Sequence, residues 1–240
     1  MKKLILAAVV AAAAFLFCSP AASDVGTYLK LEKASQVVKL TPPTNFTTGG
    51  TGFQVKGPSG RVYTLTNAHI CALAANGTLA AHVPNQKRIT LIRVIEVRPE
   101  MDLCLLTSMP AASGLSVADS FREAEHLYVL GHPFLKPLTL SDGYTVSREF
   151  LEMPVDVEPT DCVGPMMQMR EVRGFFGMEP ACVQRFDAWD TTITVYPGNS
   201  GSPVFNTQGE VVGVVFATDQ RTFRGAFIPL ESVKEILRVY

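Results

Sequence analysis

Short apolar and polar runs, separated by turn residues, alternate along most of the chain between residues 37 and 228. Successive side chains of a β-strand point to opposite faces, so this alternation predicts strands that are buried on one side. The predicted strands lie at residues 37–40, 53–56, 61–66, 79–83, 89–97, 101–107, 127–130, 190–196, 211–217 and 224–228. Many short strands at such spacing predict an all-β barrel or sandwich.

Two segments carry a helical pattern instead. Residues 27–36 mix apolar residues with lysines and predict a short lead-in helix. Residues 231–240 predict a closing helix, because apolar residues recur there at the i, i+3, i+4 and i+7 spacing of one helix face. These residues are Val233, Ile236, Leu237 and Tyr240. We expect that face to dock on the β-structure.

Glycine and proline punctuate the strands at two turns and one long segment. The turn at residues 57–60 predicts a hairpin between the second and third strands, and Gly143 predicts another hairpin at residues 138–147. Between residues 152 and 185 the pattern breaks, which predicts a long surface insertion at about residues 150–187. Its methionines would either cover a substrate cleft or pack the insertion on the barrel, and both interpretations stay open. They are Met166, Met167, Met169 and Met178.

The N-terminus has the layout of a secretory signal peptide at residues 1–23. Two lysines precede an unbroken apolar run at residues 4–17, and small residues follow before Asp24. The run is shorter than the roughly 20 residues that a membrane-spanning helix needs, so a retained anchor is the weaker interpretation. Phe17 before Cys18 disfavours a lipoprotein. We therefore expect a secreted or periplasmic protein with no membrane span after signal removal.

Export implies an oxidising compartment, where cysteines can pair. Cys71 and Cys104 lie in apolar surroundings and are interpreted as small buried hydrophobic residues. Cys162 and Cys182 bracket the loop-rich insertion and are the predicted disulfide.

Composition narrows the range of ligands. The 240 residues are 47% hydrophobic with a net charge of −1 and no basic run, which disfavours nucleic acid as a partner. His69 and Cys71 stand too close together for the usual zinc-ligand spacings, so no metal site is predicted. No cofactor is expected either.

One turn, at residues 197–203, has the composition of a nucleophile loop. Glycine beside Ser200 allows backbone N–H groups to converge, which can stabilise an oxyanion while the hydroxyl attacks. This stretch alone fits an ordinary hairpin turn equally well. Upstream, however, His69 follows one predicted strand and Asp102 precedes another. The chain order base, acid, serine is that of chymotrypsin-type triads.

The segments at residues 65–69, 102–106 and 197–203 together resemble those of trypsin-like serine peptidases, most closely the bacterial HtrA/Deg type. Similar flanking stretches lie at residues 50–53, 130–133 and 209–213. The resemblance implies a chymotrypsin-like fold of two six-stranded antiparallel β-barrels with a short C-terminal helix. It divides the chain into a lead-in at residues 24–44, an N-terminal barrel at 45–115, a C-terminal barrel at 116–230 and the helix at 231–240.

The resemblance also implies roles for individual residues. His69 would be the general base, Asp102 its orienting acid and Ser200 the nucleophile, with the backbone N–H groups of Gly198 and Ser200 forming the oxyanion hole. The substrate pocket would be lined without any charge, so we expect a small or aliphatic residue before the cut bond. Its walls would come from Thr194, Val195, Phe216, Ala217, Thr218 and Gly225.

The sequence departs from the family pattern at three points, two of which bear on regulation. Ser202 replaces a second glycine after the nucleophile, and Asn199 replaces the aspartate that pairs with a new N-terminus in zymogen-activated trypsins. We therefore expect no such activation. No PDZ-like domain follows within this sequence.

These observations favour an exported serine endopeptidase that acts on proteins or peptides through an acyl-enzyme. The alternative is a catalytically silent protein-binding module on a protease fold, and a third possibility is a hydrolase restricted to esters. Oligomerisation remains open.

Overall fold

The computed structural model describes residues 22–84, 89–155, 160, 162–164, 166–173, 178–218 and 222–240. Of the predicted signal peptide, residues 1–21 lie outside the described residues. No helix in the described ranges has the length and apolar character needed to cross a membrane.

The first half of the chain forms a closed barrel of six antiparallel strands. The strands are adjacent in the order β1-β2-β3-β6-β5-β4, so the sheet has no free edge. Inward-facing apolar side chains, among them Leu40, Leu79, Ile92 and Leu106, fill its interior. The strands are β1 Val37–Thr41, β2 Gly50–Lys56, β3 Val62–Thr66, β4 Thr78–His82, β5 Ile89–Arg98 and β6 Leu103–Thr107.

The second half forms a seven-stranded sheet in the order β13-β12-β11-β7-β8-β10-β9. Strands β13 and β10 also pair, which closes six of the strands into a ring and leaves β9 outside it, on β10. The predicted two-barrel fold is therefore confirmed. The strands are β7 His126–Gly131, β8 Thr139–Val155, β9 Met167–Arg173, β10 Met178–Thr194, β11 Pro203–Phe205, β12 Val211–Thr218 and β13 Arg224–Pro229.

The predicted hairpin at residues 138–147 is wrong, because β8 runs through it without a turn. Gly143 instead allows β8 and β10 to approach each other closely. A Cβ there would lie 2.6 Å from Thr192 Oγ1 and 3.0 Å from the backbone nitrogen of Ile193. Glycine in a strand often marks such an approach, and sequence alone does not separate it from a turn.

The segment interpreted as a loop-rich insertion is built mainly from strands in its described residues. The long β8 and β10 extend together from the barrel, and β9 adds a third strand to this arm. A disulfide joins Cys162 to Cys182, the pair that the sequence favoured. The side chains of Met169 and Met178 are exposed on the arm.

Two helices pack at the ends of the chain. Helix α1 covers Ala22–Lys33 and buries Leu29 completely. A four-residue helix, α2, covers Ala68–Cys71, and α3 covers Leu230–Leu237. Helix α3 buries its predicted apolar residues Val233, Ile236 and Leu237.

Candidate active site

Asp102 occupies a sharp turn between the 3₁₀ turn Pro99–Met101 and β6. Its backbone is left-handed, with φ 49° and ψ 42°, a conformation that aspartate tolerates better than most residues. The Asn67 side-chain amide donates to the Asp102 carbonyl at 3.0 Å. The carboxylate is buried, and the hydrogen bonds that it accepts from His69 fix its direction.

His69 lies on α2 and contacts this carboxylate through both its backbone and its imidazole. Its backbone N–H donates to Asp102 Oδ1 at 3.0 Å, and its Nδ1 lies 2.8 Å from Oδ2. Because an ionised carboxylate can only accept, Nδ1 carries the proton, and the lone pair of a neutral imidazole is then on Nε2. The His69 side chain is 43% exposed, so Nε2 can face a substrate.

A disulfide between Cys71 and Cys104 joins α2, which carries His69, to β6, which follows Asp102. Cys71 ends α2, two residues after His69, and Cys104 lies in β6, two residues after Asp102. Both cysteines are buried in the apolar core, as predicted, but they form a disulfide that was not predicted from the sequence. Sequence alone could not predict this pairing, because the closure of the first barrel brings the two cysteines together.

Backbone contacts bring the Ser200 turn against the first barrel. The carbonyl of Ser200 accepts from the N–H of Thr51 at 2.8 Å. Gly50 sits in a tight space, where a Cβ would lie 2.7 Å from Ile70 Cδ1 and 2.8 Å from the same Ser200 carbonyl. Ile70 directly follows His69. The structure thus brings the three predicted residues to one boundary between the barrels.

No hydrogen bond joins the Ser200 hydroxyl to the His69 imidazole within the described ranges. Catalytic hydrogen bonds are often long or poorly aligned in proteins without substrate.

The turn that carries Ser200 leaves two backbone donors free. The carbonyl of Pro197 accepts from Phe134 N–H, and the carbonyl of Asn199 accepts from Ser202 N–H at 2.9 Å. In a trans peptide the N–H points away from the carbonyl of the same unit. The N–H groups of Gly198 and Ser200 therefore face the other way, and neither donates to any acceptor in the described part of the chain.

Two of the predicted pocket residues, Val195 and Gly225, lie against each other. Val195 is buried, and a Cβ on Gly225 would lie only 2.8 Å from Val195 Cγ2. The Phe216 side chain instead lies in the core, with its ring centroid 5.6 Å from that of Phe186. Thr194 is exposed. The side chains of Ala217 and Thr218 are outside the description.

Buried polar atoms without a partner occur in the Ser200 turn, beside it and near Asp102. Four buried atoms have no hydrogen-bond partner among the described residues: Asn67 Oδ1, His132 Nε2, Asn199 Oδ1 and Ser202 Oγ. Buried atoms of this kind are uncommon in folded proteins. The described ranges contain no group of three His, Cys, Asp or Glu residues able to hold a metal ion.

His132 was not singled out by its sequence context, yet it packs beside this turn. Its Nδ1 donates to the Lys136 carbonyl at 2.9 Å, and its own carbonyl lies near Gly198. Burial lowers the pKa of His132 below the ordinary 6.5, and the nearby charges of Lys39 and His82 act in the same direction.

Comparisons with known proteins agree with this geometry. The family model described as trypsin-like peptidase domain matches residues 50–214. A probable periplasmic serine endoprotease DegP-like from Marinomonas sp. (strain MWYL1) is 26% identical over 157 residues, covering 63% of this chain and 26% of that protein. The chain thus spans about a quarter of the length of the curated relative it matches.

Solved structures share the fold. The active form of the Rv3671c protease from M. tuberculosis matches with a TM-score of 0.66 at 21% identity, over 92% of this chain and 87% of that one. The HtrA-type protease AlgW with tripeptide matches with a TM-score of 0.62 at 20% identity, over 89% of this chain and 62% of that one. The chain belongs to the trypsin-like peptidase family.

Proposed function

We propose that this protein is an exported serine endopeptidase that cleaves proteins or peptides through a Ser200-His69-Asp102 triad. One observation carries the proposal. The serine lies in a turn with two free N–H groups, and that turn packs against the segment where a buried carboxylate orients an imidazole. An acyl-transfer site needs a nucleophile, a base and an oxyanion site.

Each group then has a defined step. His69 Nε2 takes the Ser200 hydroxyl proton while Oγ attacks the scissile carbonyl, and the N–H groups of Gly198 and Ser200 stabilise the negative oxygen. The C–N bond breaks as Nε2 returns that proton to the leaving amine, which leaves an acyl-enzyme. Nε2 then takes a proton from water as the water oxygen attacks the acyl carbon, and it returns that proton to Ser200 Oγ as the acyl C–Oγ bond breaks and the acid leaves. Asp102 keeps Nδ1–H in place throughout.

Export is supported by three further features. The predicted signal peptide precedes the fold, and two disulfides lie in the described chain, as is usual for proteins of oxidising compartments. The DegP-like relative is named as periplasmic. We assign the protein to the periplasm or the cell exterior.

The pocket supports a preference for small or aliphatic residues before the cut bond. Val195 packs against Gly225 and leaves little depth between them, and no charged side chain lies among the predicted wall residues. Among these wall residues, an aromatic substrate side chain would meet Val195 close to Gly225, and a cationic one would find no counter-charge.

A peptide library incubated with the protein lacking residues 1–23 tests the function. We expect cleavage after small or aliphatic residues, abolished in Ser200→Ala and retained in Ser202→Ala. The second variant is the matched control because it removes a buried neighbouring hydroxyl that has no partner in the described chain. Intact peptides with a natively folded protein would instead favour the silent binding module, and turnover of esters alone would favour the restricted hydrolase.

A further inference from the structure

Thr51 in β2 connects the first barrel to the turn that carries Ser200. It is fully buried, and all of its polar groups have partners. Its N–H donates to the Ser200 carbonyl at 2.8 Å, and its carbonyl accepts from Thr66 Oγ1 at 2.6 Å. Its hydroxyl donates to the Gly198 carbonyl at 2.8 Å and accepts from the His132 N–H at 3.0 Å.

The hydroxyl holds a peptide unit that would otherwise turn easily. The Gly198 carbonyl belongs to the Gly198–Asn199 peptide, which lies between the two free N–H groups. Gly198 has φ +96°, and glycine adopts both signs of φ at little cost. Apart from Thr51, no donor to the Gly198 carbonyl is found in the described part of the chain.

The same hydroxyl also fixes the neighbouring loop. It accepts from His132, which begins the segment whose Phe134 N–H binds the Pro197 carbonyl. The Pro197–Gly198 and Gly198–Asn199 peptides are therefore both held through groups connected to Thr51. Their orientation sets the direction of the Gly198 N–H.

We infer that Thr51 is a positioning residue, whose hydroxyl holds the Gly198 carbonyl so that the N–H groups of Gly198 and Ser200 point at the substrate carbonyl. The inference rests on the proposed function, because it concerns the oxyanion hole of that reaction. Thr51 itself touches no reacting atom.

Thr51→Val tests this with almost no change of volume. The variant keeps the β-branched shape but loses the hydrogen bonds to Gly198 and His132. We expect kcat to fall about 10²-fold, the scale of a misplaced catalytic group, with KM nearly unchanged because the loss falls on the transition state. Thr51→Ser restores the hydroxyl and should restore kcat to within a few-fold.

Thr64→Val is the matched control. Thr64 is likewise fully buried in the first barrel, and its hydroxyl donates to the Thr107 carbonyl at 2.9 Å and accepts from Gln54 at 2.8 Å. Removing this hydroxyl also breaks one donated and one accepted hydrogen bond, but neither involves Gly198. We expect an unfolding midpoint lowered as in Thr51→Val, but an unchanged kcat.

A second readout follows the oxyanion site directly. A peptide boronic acid forms a tetrahedral adduct with a serine nucleophile, so its inhibition constant should weaken in parallel with kcat in Thr51→Val and not in Thr64→Val. All variants are compared below their unfolding midpoints. Thr51→Ala removes the same hydroxyl without placing a methyl beside the Gly198 carbonyl, and it decides the question if the valine variant does not fold.

The outcomes separate the inference from the proposed function. An unreactive wild-type protein would refute the function itself. An active wild type with equal kcat in Thr51→Val and Thr64→Val would overturn the role of Thr51 alone, as would failure of serine to restore kcat. If neither the valine nor the alanine variant folds, Thr51 is a folding residue and the inference is likewise overturned.

Discussion

The Asp102 carboxylate accepts hydrogen bonds from both the backbone N–H and the imidazole Nδ1 of His69, at 3.0 and 2.8 Å. One carboxylate thereby fixes the end of a short helix and the tautomer of its side chain. The left-handed turn at Asp102 and the amide of Asn67 aim that carboxylate. Helix α2, the His69 imidazole and the Asp102 carboxylate are therefore held together by hydrogen bonds.

Asp102→Asn should lower kcat by about 10⁴-fold, because an amide can donate to Nδ1 and stabilise the wrong imidazole tautomer. The measurement is peptide turnover at saturating substrate. Asp142→Asn is the matched control, since Asp142 pairs with His126 at 2.8 Å on the second barrel. Equal activity in the two variants would contradict the role of Asp102.

Replacing both Cys71 and Cys104 by serine should lower the free energy of unfolding by about 2–4 kcal/mol. Turnover should also fall, because the disulfide joins α2 to β6 beside His69 and Asp102. Denaturant unfolding and peptide cleavage measure the two effects. The control is the Cys162/Cys182 double variant, which removes a bond confined to the arm. If both double variants keep full activity, the Cys71–Cys104 bond is purely structural.

Val195→Ala should widen the substrate preference. Shortening the side chain that contacts Gly225 deepens the predicted pocket, so the kcat/KM ratio for leucine over alanine before the cut bond should rise. Val212→Ala, another buried valine of the same cluster, controls for general loosening of the core. An unchanged ratio in Val195→Ala would place the pocket elsewhere.

Stability should decrease as the pH falls below about 6.5, partly through His132. A histidine whose pKa is lowered in the folded state takes up its proton more readily when unfolded, so its contribution is complete above the ordinary pKa and is lost below it. His132→Asn keeps a donor for the Lys136 carbonyl but cannot titrate. We expect a smaller drop in its unfolding midpoint between neutral and mildly acidic pH. A drop equal to that of the wild type would assign the effect to other groups, such as His82, whose pKa burial also lowers.

Local sequence pattern predicted much of this fold. Alternation located all six strands of the first barrel but only β7, β12, β13 and the end of β10 in the second. The family-like motifs singled out His69, Asp102 and Ser200. These features depend on short stretches of chain, where period and turn chemistry carry the information. The face of α3 was predicted for the same reason.

Features that depend on distant contacts were missed. The Cys71–Cys104 bond needs the closure of the first barrel, and the roles of Thr51 and Asn67 need the turns that pack against them. Gly143 was interpreted as part of a turn because a glycine at a close approach between two strands looks the same in sequence as a glycine in a turn. Within the arm, prolines and glycines obscured three strands that stabilise one another by pairing.

The most direct test of the account is reaction with a fluorophosphonate, which phosphonylates a serine activated by a neighbouring base. We predict one modification per molecule, located on Ser200 by peptide mass spectrometry and lost in Ser200→Ala. His69→Ala should slow it strongly. A natively folded protein that stays unmodified, or that carries the label on another residue, would contradict the proposed active site.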